Sequence, residues 1–312
     1  MSAFVTPSLA LSLQAIPLGQ CLRFSRGGYR VNSVPSGRLQ SAHDYKRMSL
    51  RSSLEGDLVT VVGAGRIGTL LAGAKGSGLA PARLIRRNER IVEGSKGPIY
   101  VCTRNDDLAS VVEQCPPGRR TDLVFIQNGM LRSFLRQHNL ENATQALVFF
   151  AVPRVGAPPA DGGGTVAWGP WAAAFAARVR ACGCHCTVLE DKLEFDRRMI
   201  EKLLWICIFG VLCESEGGIP VGEVAEKQAD RVRHLIDELC PLAEEEVGLH
   251  GKDALDRERL LQSLLEYSRK IPDFVAGFKE YPWRNGWFME RRQTPLHSEL
   301  VEQCRQKAAQ RA

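Results

Sequence analysis

Short runs of apolar and β-branched residues recur between residues 58 and 189, separated by stretches with helical spacing. Leu58–Val62 predicts a strand that enters a glycine-rich turn, and Thr69–Ala74 then reads as helix. Further strands are predicted at Ala82–Ile85, Ile99–Cys102, Leu123–Gln127 and Ala146–Ala151, with a helix over Asp106–Glu113. A Gly/Pro-rich stretch, residues 156–164, interrupts this rhythm; Thr165–Trp168 resumes as strand, Trp171–Ala181 as helix and Thr187–Leu189 as strand. Short apolar strands alternating with helices imply a parallel sheet covered on both faces. Beyond about residue 194 the strand signals stop. Arg197–Cys213 is apolar nearly all round, which predicts a buried helix, and Asp230–Leu249, Asp253–Lys270 and Pro295–Ala309 predict further helices. The expected class is α/β, a parallel-sheet domain over residues 54–194 followed by an all-helical domain over 195–312.

Charge changes the picture at one end. Residues 1–53 hold seven basic residues and one acid, which accounts for the whole formal net charge of +6 and leaves residues 54–312 formally neutral. The basic balance is therefore no argument for nucleic-acid binding by the remainder. The same segment is rich in Ser and Arg and nearly free of acids, a composition that fits an organelle transit peptide, with a disordered tail as the plain alternative. Abundant Ser, Gly and Pro, and the lack of Arg in the first twenty residues, favour a chloroplast over a mitochondrion. The longest strongly apolar run, Leu203–Cys213, falls short of the roughly 20 residues a membrane span needs, so no membrane partner is expected. The run Cys182-Gly-Cys-His-Cys186 invites a metal reading, but alternating residues of one strand cannot easily surround a single ion, so packing is expected and metal is not.

Gly63, Gly65 and Gly68 form G-x-G-x-x-G between a strand and a helix, the order a Rossmann-type dinucleotide turn requires. The first glycine permits the tight turn, the second lets backbone approach a pyrophosphate, and the third lets helix and strand pack closely. Arg66 and Ile67 lie inside the turn. The second strand ends in Arg86-Arg87, where NAD-binding domains usually carry an acid for the ribose hydroxyls. Arginines suit a 2′-phosphate, so NADP is expected unless the two are only solvated surface charges.

Several segments beyond this turn resemble the ketopantoate reductase (2-dehydropantoate 2-reductase) family, across most of residues 57–305. Val101-Cys-Thr-Arg-Asn105 is similar to a motif in which a basic residue faces the cofactor, which implies that role for Arg104. Ile126-Gln-Asn-Gly-Met130 resembles the family's N-G-M/L motif and implies that Asn128 lies beside the nicotinamide. Met199-Ile-Glu-Lys-Leu203 resembles its W-x-K-L helix, which makes Lys202 the implied catalytic lysine. Lys279-Glu280 through Asn285-Gly286 resembles T-E-x-x-x-x-N-G, which implies an active-site role for Glu280, and Thr294-Pro-Leu296 matches a T-P-x helix start. Ser268 and Asp273 lie near the family's substrate-binding Ser and Asp, with the spacing from Asp273 to Glu280 one residue off. The chain departs from the pattern at Ile206 and Gly210, where the family carries substrate-contacting Asn, in a shortened stretch between Arg87 and Ile99, and in the aromatic run Trp283–Phe288.

The chemistry of this set is coherent. Lys202 is the only basic residue between Met199 and Cys213, and a lysine partly desolvated on a buried helix becomes a usable acid. Glu280 could orient it, and Asn128 could fix the substrate carbonyl or the cofactor carboxamide. The plain alternatives are a lysine snorkelling to solvent and an ordinary surface acid. The expected function is an NADP-dependent reductase of a small keto acid or related carbonyl compound, with the helical domain supplying substrate contacts and a possible homodimer interface. The competing readings are a non-catalytic NADP-binding redox sensor or regulatory protein, and a thiol- or zinc-based module on Cys182–Cys186.

Overall fold

The computed structural model describes residues 58–94 and 96–311. The expected targeting segment, residues 1–53, lies outside them. Nine strands form two sheets among the described residues. β1 (Val59–Val62), β2 (Ala82–Ile85), β3 (Ile99–Val101), β4 (Leu123–Phe125) and β5 (Thr144–Leu147) run parallel, with β2 on one side of β1 and β3, β4 and β5 on the other. Two-residue β6 (Phe150–Ala151) and β7 (Ala160–Asp161) make a separate antiparallel hairpin. β8 (Val166–Trp168) joins β5 antiparallel, and β9 (Thr187–Leu189) follows β8 parallel. The sheet expected to be parallel throughout thus reverses once, because the long 156–164 loop brings the chain back alongside β5 instead of crossing over.

Helices α1 (Arg66–Gly73), α2 (Leu108–Gln114), α3 (Arg132–Gln137) and α4 (Ala172–Ala181) belong to the sheet half. Central strands are buried on both sides: Ile99, Tyr100, Val101, Leu123 and Val124 have no exposed surface. Arg178 of α4 is also buried, and its guanidinium donates to Leu71 O at 3.0 Å, satisfying a carbonyl in the last turn of α1, and to Ala80 O. Replacing Arg178 by methionine leaves both carbonyls without this donor, and chemical denaturation should show a loss of about 3 kcal/mol.

The remaining helices are α5 (Lys192–Ser215), α6 (Val221–Lys227), α7 (Ala229–Val247), α8 (Arg257–Lys270), α9 (Asn285–Arg291) and α10 (Pro295–Arg311). α5 joins the two halves without a linker. Asp191 caps it by accepting from Leu193 N at 2.9 Å. Phe195 packs with Leu147 and Val166 of the sheet, whereas Ile200 and Leu203–Cys213 form the spine of the helical core. Glu238 of α7 caps α10 from outside, accepting from Thr294 Oγ1 at 2.7 Å and from the N–H groups of Leu296 and His297 at 2.9 Å. Among the described residues no helix is long and apolar enough to cross a membrane.

Candidate active site at the carboxyl edge of the sheet

Strand order reverses at β1, so the loops leaving β1 and β3 part to opposite faces and open a crevice at their carboxyl ends, the usual ligand position in such sheets. Gly63 sits at φ +103°, and a Cβ there would come 2.8 Å from Cys102 O. At Gly68 a Cβ would fall 1.8 Å from Gly63 O, so helix and turn touch only because it is glycine. Gly65 has nothing within 4 Å of a Cβ position and faces the crevice. α1 begins at Arg66 with no side chain capping it. Its first N–H groups and the dipole are therefore available to an anion. A turn that is tight at two glycines and open at the middle one fits a bound pyrophosphate.

The crevice has a volume of about 1050 Å³ and is bordered by Gly63, Gly65, Thr103 and Arg104. Arg86, Arg87 and Arg90 stand at its β2 side, all exposed. Asn88, at φ +72°, and Glu89, whose carboxylate accepts from Arg86 N at 2.7 Å, form the turn that presents them. Arg104 is 75% exposed and pairs loosely with Asp106 at 3.3 Å.

The crevice continues into a second cleft of about 670 Å³, where Gly65, Arg66, Ile67 and Arg104 face Asn128, Lys279, Glu280 and Arg284. Three contacts hold its far wall. Gln127 donates to Val101 O at 2.8 Å and Thr103 O at 3.1 Å, tying the ends of β3 and β4 together. Buried Asn105 donates to Asn128 O at 2.8 Å. Met130 N–H donates to Trp283 O at 2.8 Å, while Gly129, at φ +111°, lets that oxygen approach to 2.5 Å from where a Cβ would stand. The Asn128 turn and the Glu280–Arg284 turn, 152 positions apart from Asn128 to Glu280, therefore form one wall.

Lys202 is buried, with 6% of its surface exposed, so it does not snorkel to solvent. Its ammonium donates to Val148 O, just past β5, and lies 4.5 Å from the centre of the Phe149 ring. Burial, with a smaller contribution from nearby Arg284, lowers its pKa to about 7. The amine does not line the cleft; its link to it is Arg284, which does, and which is near enough to contribute to the lowered pKa. The carboxylate expected to orient it is engaged elsewhere: Glu280, at φ +48°, pairs with Arg284 four residues on.

The two expected substrate residues do not join this group. Ser268 is fully buried in α8, donating to Leu264 O and accepting from Trp205 Nε1, both at 2.9 Å. Helical spacing turns it into the core instead of towards the cleft. Asp273 is exposed on a loop whose neighbours Pro272 and Phe274 accept from Gly222 and Val221 at the start of α6. Ile206 is buried, and Gly210 lies against the 276–278 loop, with Gly277 O 3.2 Å from its Cβ position. Arg284 and Lys279 stand inside the motif of residues 279–286, which gives neither of them a role; the four-residue spacing between Glu280 and Arg284 is the signal for their pairing. In the Cys182–Cys186 run, Cys184 and Cys186 are buried in the sheet core, their thiols pushed up by burial to about 11 and about 12. His185 turns outward to Asp161 Oδ2 at 3.2 Å, and among the described residues no three His, Cys, Asp or Glu side chains gather in a way that could hold a metal.

A glycine cradle at a switch point, joined through one long buried helix to a helical half, is a two-part fold shared with solved ketopantoate reductases and a D-mandelate dehydrogenase. Solved structures with this fold include the dimeric ketopantoate reductase of Staphylococcus aureus, with a TM-score of 0.56 at 15% identity over 80% of this chain and 97% of that one. A D-mandelate dehydrogenase solved with NADH and anilino(oxo)acetate gives a TM-score of 0.58 at 14% identity over 80% and 98%. A PanE/ApbA family ketopantoate reductase from Ralstonia eutropha JMP134 gives 0.56 at 16% over 80% and 97%. No family model matches the sequence, and no curated protein does.

Proposed function

We propose that this chain is an NADPH-dependent, ketopantoate-reductase-like enzyme that reduces the carbonyl of a small 2-keto acid or a related compound. What supports this reading is a glycine cradle open at Gly65 on the carboxyl edge of the sheet, together with a buried lysine, Lys202, held just past β5 with its pKa lowered to about 7. The nicotinamide, when bound, supplies hydride. Gly63, Gly65 and Gly68 and the start of α1 receive the pyrophosphate, and Arg66, Ile67 and Arg104 flank it. Asn128 orients the carboxamide or the reacting carbonyl. Lys202, which Val148 O holds out of the cleft in this structure, would have to turn from that carbonyl to the substrate oxygen and give up its proton as negative charge develops there. Glu280 acts through Arg284 rather than through Lys202.

Arg86 and Arg87 follow β2, where the ribose 2′ substituent is read, and their guanidinium groups suit a phosphate. The double replacement Arg86→Ala, Arg87→Ala is expected to reduce the preference for NADPH over NADH by about 30-fold. Quenching titrations with the two cofactors measure this, and an unchanged ratio overturns the choice of NADP.

The test of the reaction is NADPH oxidation by purified protein with a panel of 2-keto acids, repeated with Lys202→Met. Turnover that depends on Lys202 supports the reductase; NADPH binding without any turnover supports a second reading, a non-catalytic NADP-binding sensor. That reading is favoured by Ile206 and Gly210, which offer no polar side chain to a substrate. Pairing of two chains through the helical half and delivery to a chloroplast by residues 1–53, with a mitochondrion as the alternative, complete the proposal. Light scattering of the purified protein and the location of a fluorescent fusion to residues 1–53 test them.

A further inference from the structure

We propose that Arg284 is the carboxylate anchor of this site, so that the substrate is a 2-oxo monocarboxylate held by its acid end on the guanidinium beside Glu280. This rests on the reductase reading above and adds the group that recognises the substrate. Arg66, Arg104, Lys279 and Arg284 line the second cleft, against the single acid Glu280. An anion is thus favoured at the end of the cleft away from the pyrophosphate turn as well as beside it.

Of these cations Arg284 is the most enclosed, although Arg66 is also tethered, donating to Val152 O at 3.1 Å. The Arg284 side chain is 11% exposed and is gripped by Glu280, whereas Arg66, Arg104 and Lys279 are exposed. Its Nε is buried with no hydrogen-bond partner among the described residues. A buried donor left unmet is unfavourable; with no accessible surface on Nε as the side chain stands, a ligand oxygen meets it only if the guanidinium turns toward the cleft. The backbone points the same way. Glu280 takes up the left-handed region at φ +48° although it is not glycine, a strain that persists only where surrounding structure enforces it. Here the enforcing contacts are Met130 N–H on Trp283 O and the close approach at Gly129. The strained turn fixes the Glu280–Arg284 pair opposite the glycine cradle.

The alternative place for a substrate's acid group is closed. Ile206 is buried and apolar, Gly277 backbone covers Gly210, and the Ser268 hydroxyl is spent within the core. Arginine's planar fork can take both oxygens of a carboxylate and so fix the adjacent carbonyl in direction. A lysine in its place keeps the charge and loses the fork.

The experiment compares native protein with Arg284→Gln and Arg284→Lys. The substrates are pyruvate, 2-oxobutyrate and their methyl esters, and oxamate serves as an unreactive probe that quenches or perturbs bound NADPH fluorescence. For Arg284→Gln, KM for the free acids is expected to rise about 100-fold, with the NADPH Kd within about twofold and KM for the esters within about threefold. Arg284→Lys should raise KM for the acids about tenfold and serves if the glutamine variant does not fold. Unchanged acid KM and oxamate binding in the variants overturn the anchor while leaving the reductase intact. Oxamate binding that depends on Arg284, without turnover of any acid or ester by native protein, supports the anchor and overturns the reductase. Native protein that binds NADPH but neither turns over the acids nor binds oxamate overturns both.

Discussion

Replacing Lys202 by methionine is expected to leave NADPH affinity within about twofold and to lower turnover about 10³-fold, the range associated with a positioned general acid. Methionine keeps the volume and the contact with Phe149 but carries no proton. Native kcat/KM for reduction should be level at low pH and fall tenfold per pH unit above about 7, since the protonated amine is the active form and burial lowers its pKa to about that value. The reverse, oxidative reaction should rise through the same pH. Stability gives an independent check. The folded pKa of Lys202 lies below its ordinary 10.5, so between about pH 7 and 10.5 the unfolded chain binds more protons and native stability rises with pH. Below pH 7 the buried charge costs the native protein its full penalty, and Lys202→Met escapes it. The variant should therefore be more stable than native protein at pH 6, by ~2 kcal/mol, and lose that advantage towards pH 10. Thermal melts across this range read the difference. A lysine that only holds Val148 in place would give the opposite sign, with methionine less stable at every pH.

The sheet half was legible because its code is local. Ala82–Ile85 and Thr187–Leu189 stand as strands where apolar runs predict them, and the spacing of Gly63, Gly65 and Gly68 marks a turn whose geometry leaves no other residue type at the first and third positions. Direction is not local. Val166–Trp168 reads the same in a parallel or an antiparallel neighbour, and only the path of the preceding loop sets it against β5. Ala146–Ala151 looks like one strand, but β5 stops at Leu147, and Phe149 N–H turns aside to Thr165 Oγ1 at 2.9 Å before Phe150 pairs in the hairpin. α3, α6 and α9 have six or seven residues each, and at that length an apolar period shows only where, as before α2, an adjoining 3-10 turn extends the helical stretch. Asn128 and Lys202 were visible as motif positions, and the structure puts Asn128 in the wall of the second cleft and Lys202 buried against Val148 O. The partner of Glu280 was not visible, because Arg284 acquires its meaning only when the turn at φ +48° brings the two side chains together. Ser268 failed for the converse reason: its place in the sequence fits, and its face of α8 does not.

The glycine turn separates cofactor binding from folding, and a pair of substitutions tests that separation. Gly65→Val is expected to fold normally, because Gly65 has φ −76° and ψ −170°, a conformation any residue adopts, and nothing stands within 4 Å of its Cβ position. The added side chain instead occupies the space through which a pyrophosphate would approach the start of α1. Loss of that approach should weaken NADPH binding at least ~100-fold, with Tm within about 2 °C of native. Gly68→Ala reverses the balance. Its Cβ would stand 1.8 Å from Gly63 O, a backbone atom that cannot move without breaking the tie between Gly63 N–H and Ile85 O at 3.0 Å. Overpacking of this kind costs about 3 kcal/mol or more, so Tm should fall by several degrees and cofactor affinity with it. Should Gly65→Val retain native affinity for NADPH, the open face of the turn is not where the phosphates bind. Should it lose stability as Gly68→Ala does, the turn is a packing element rather than a cradle.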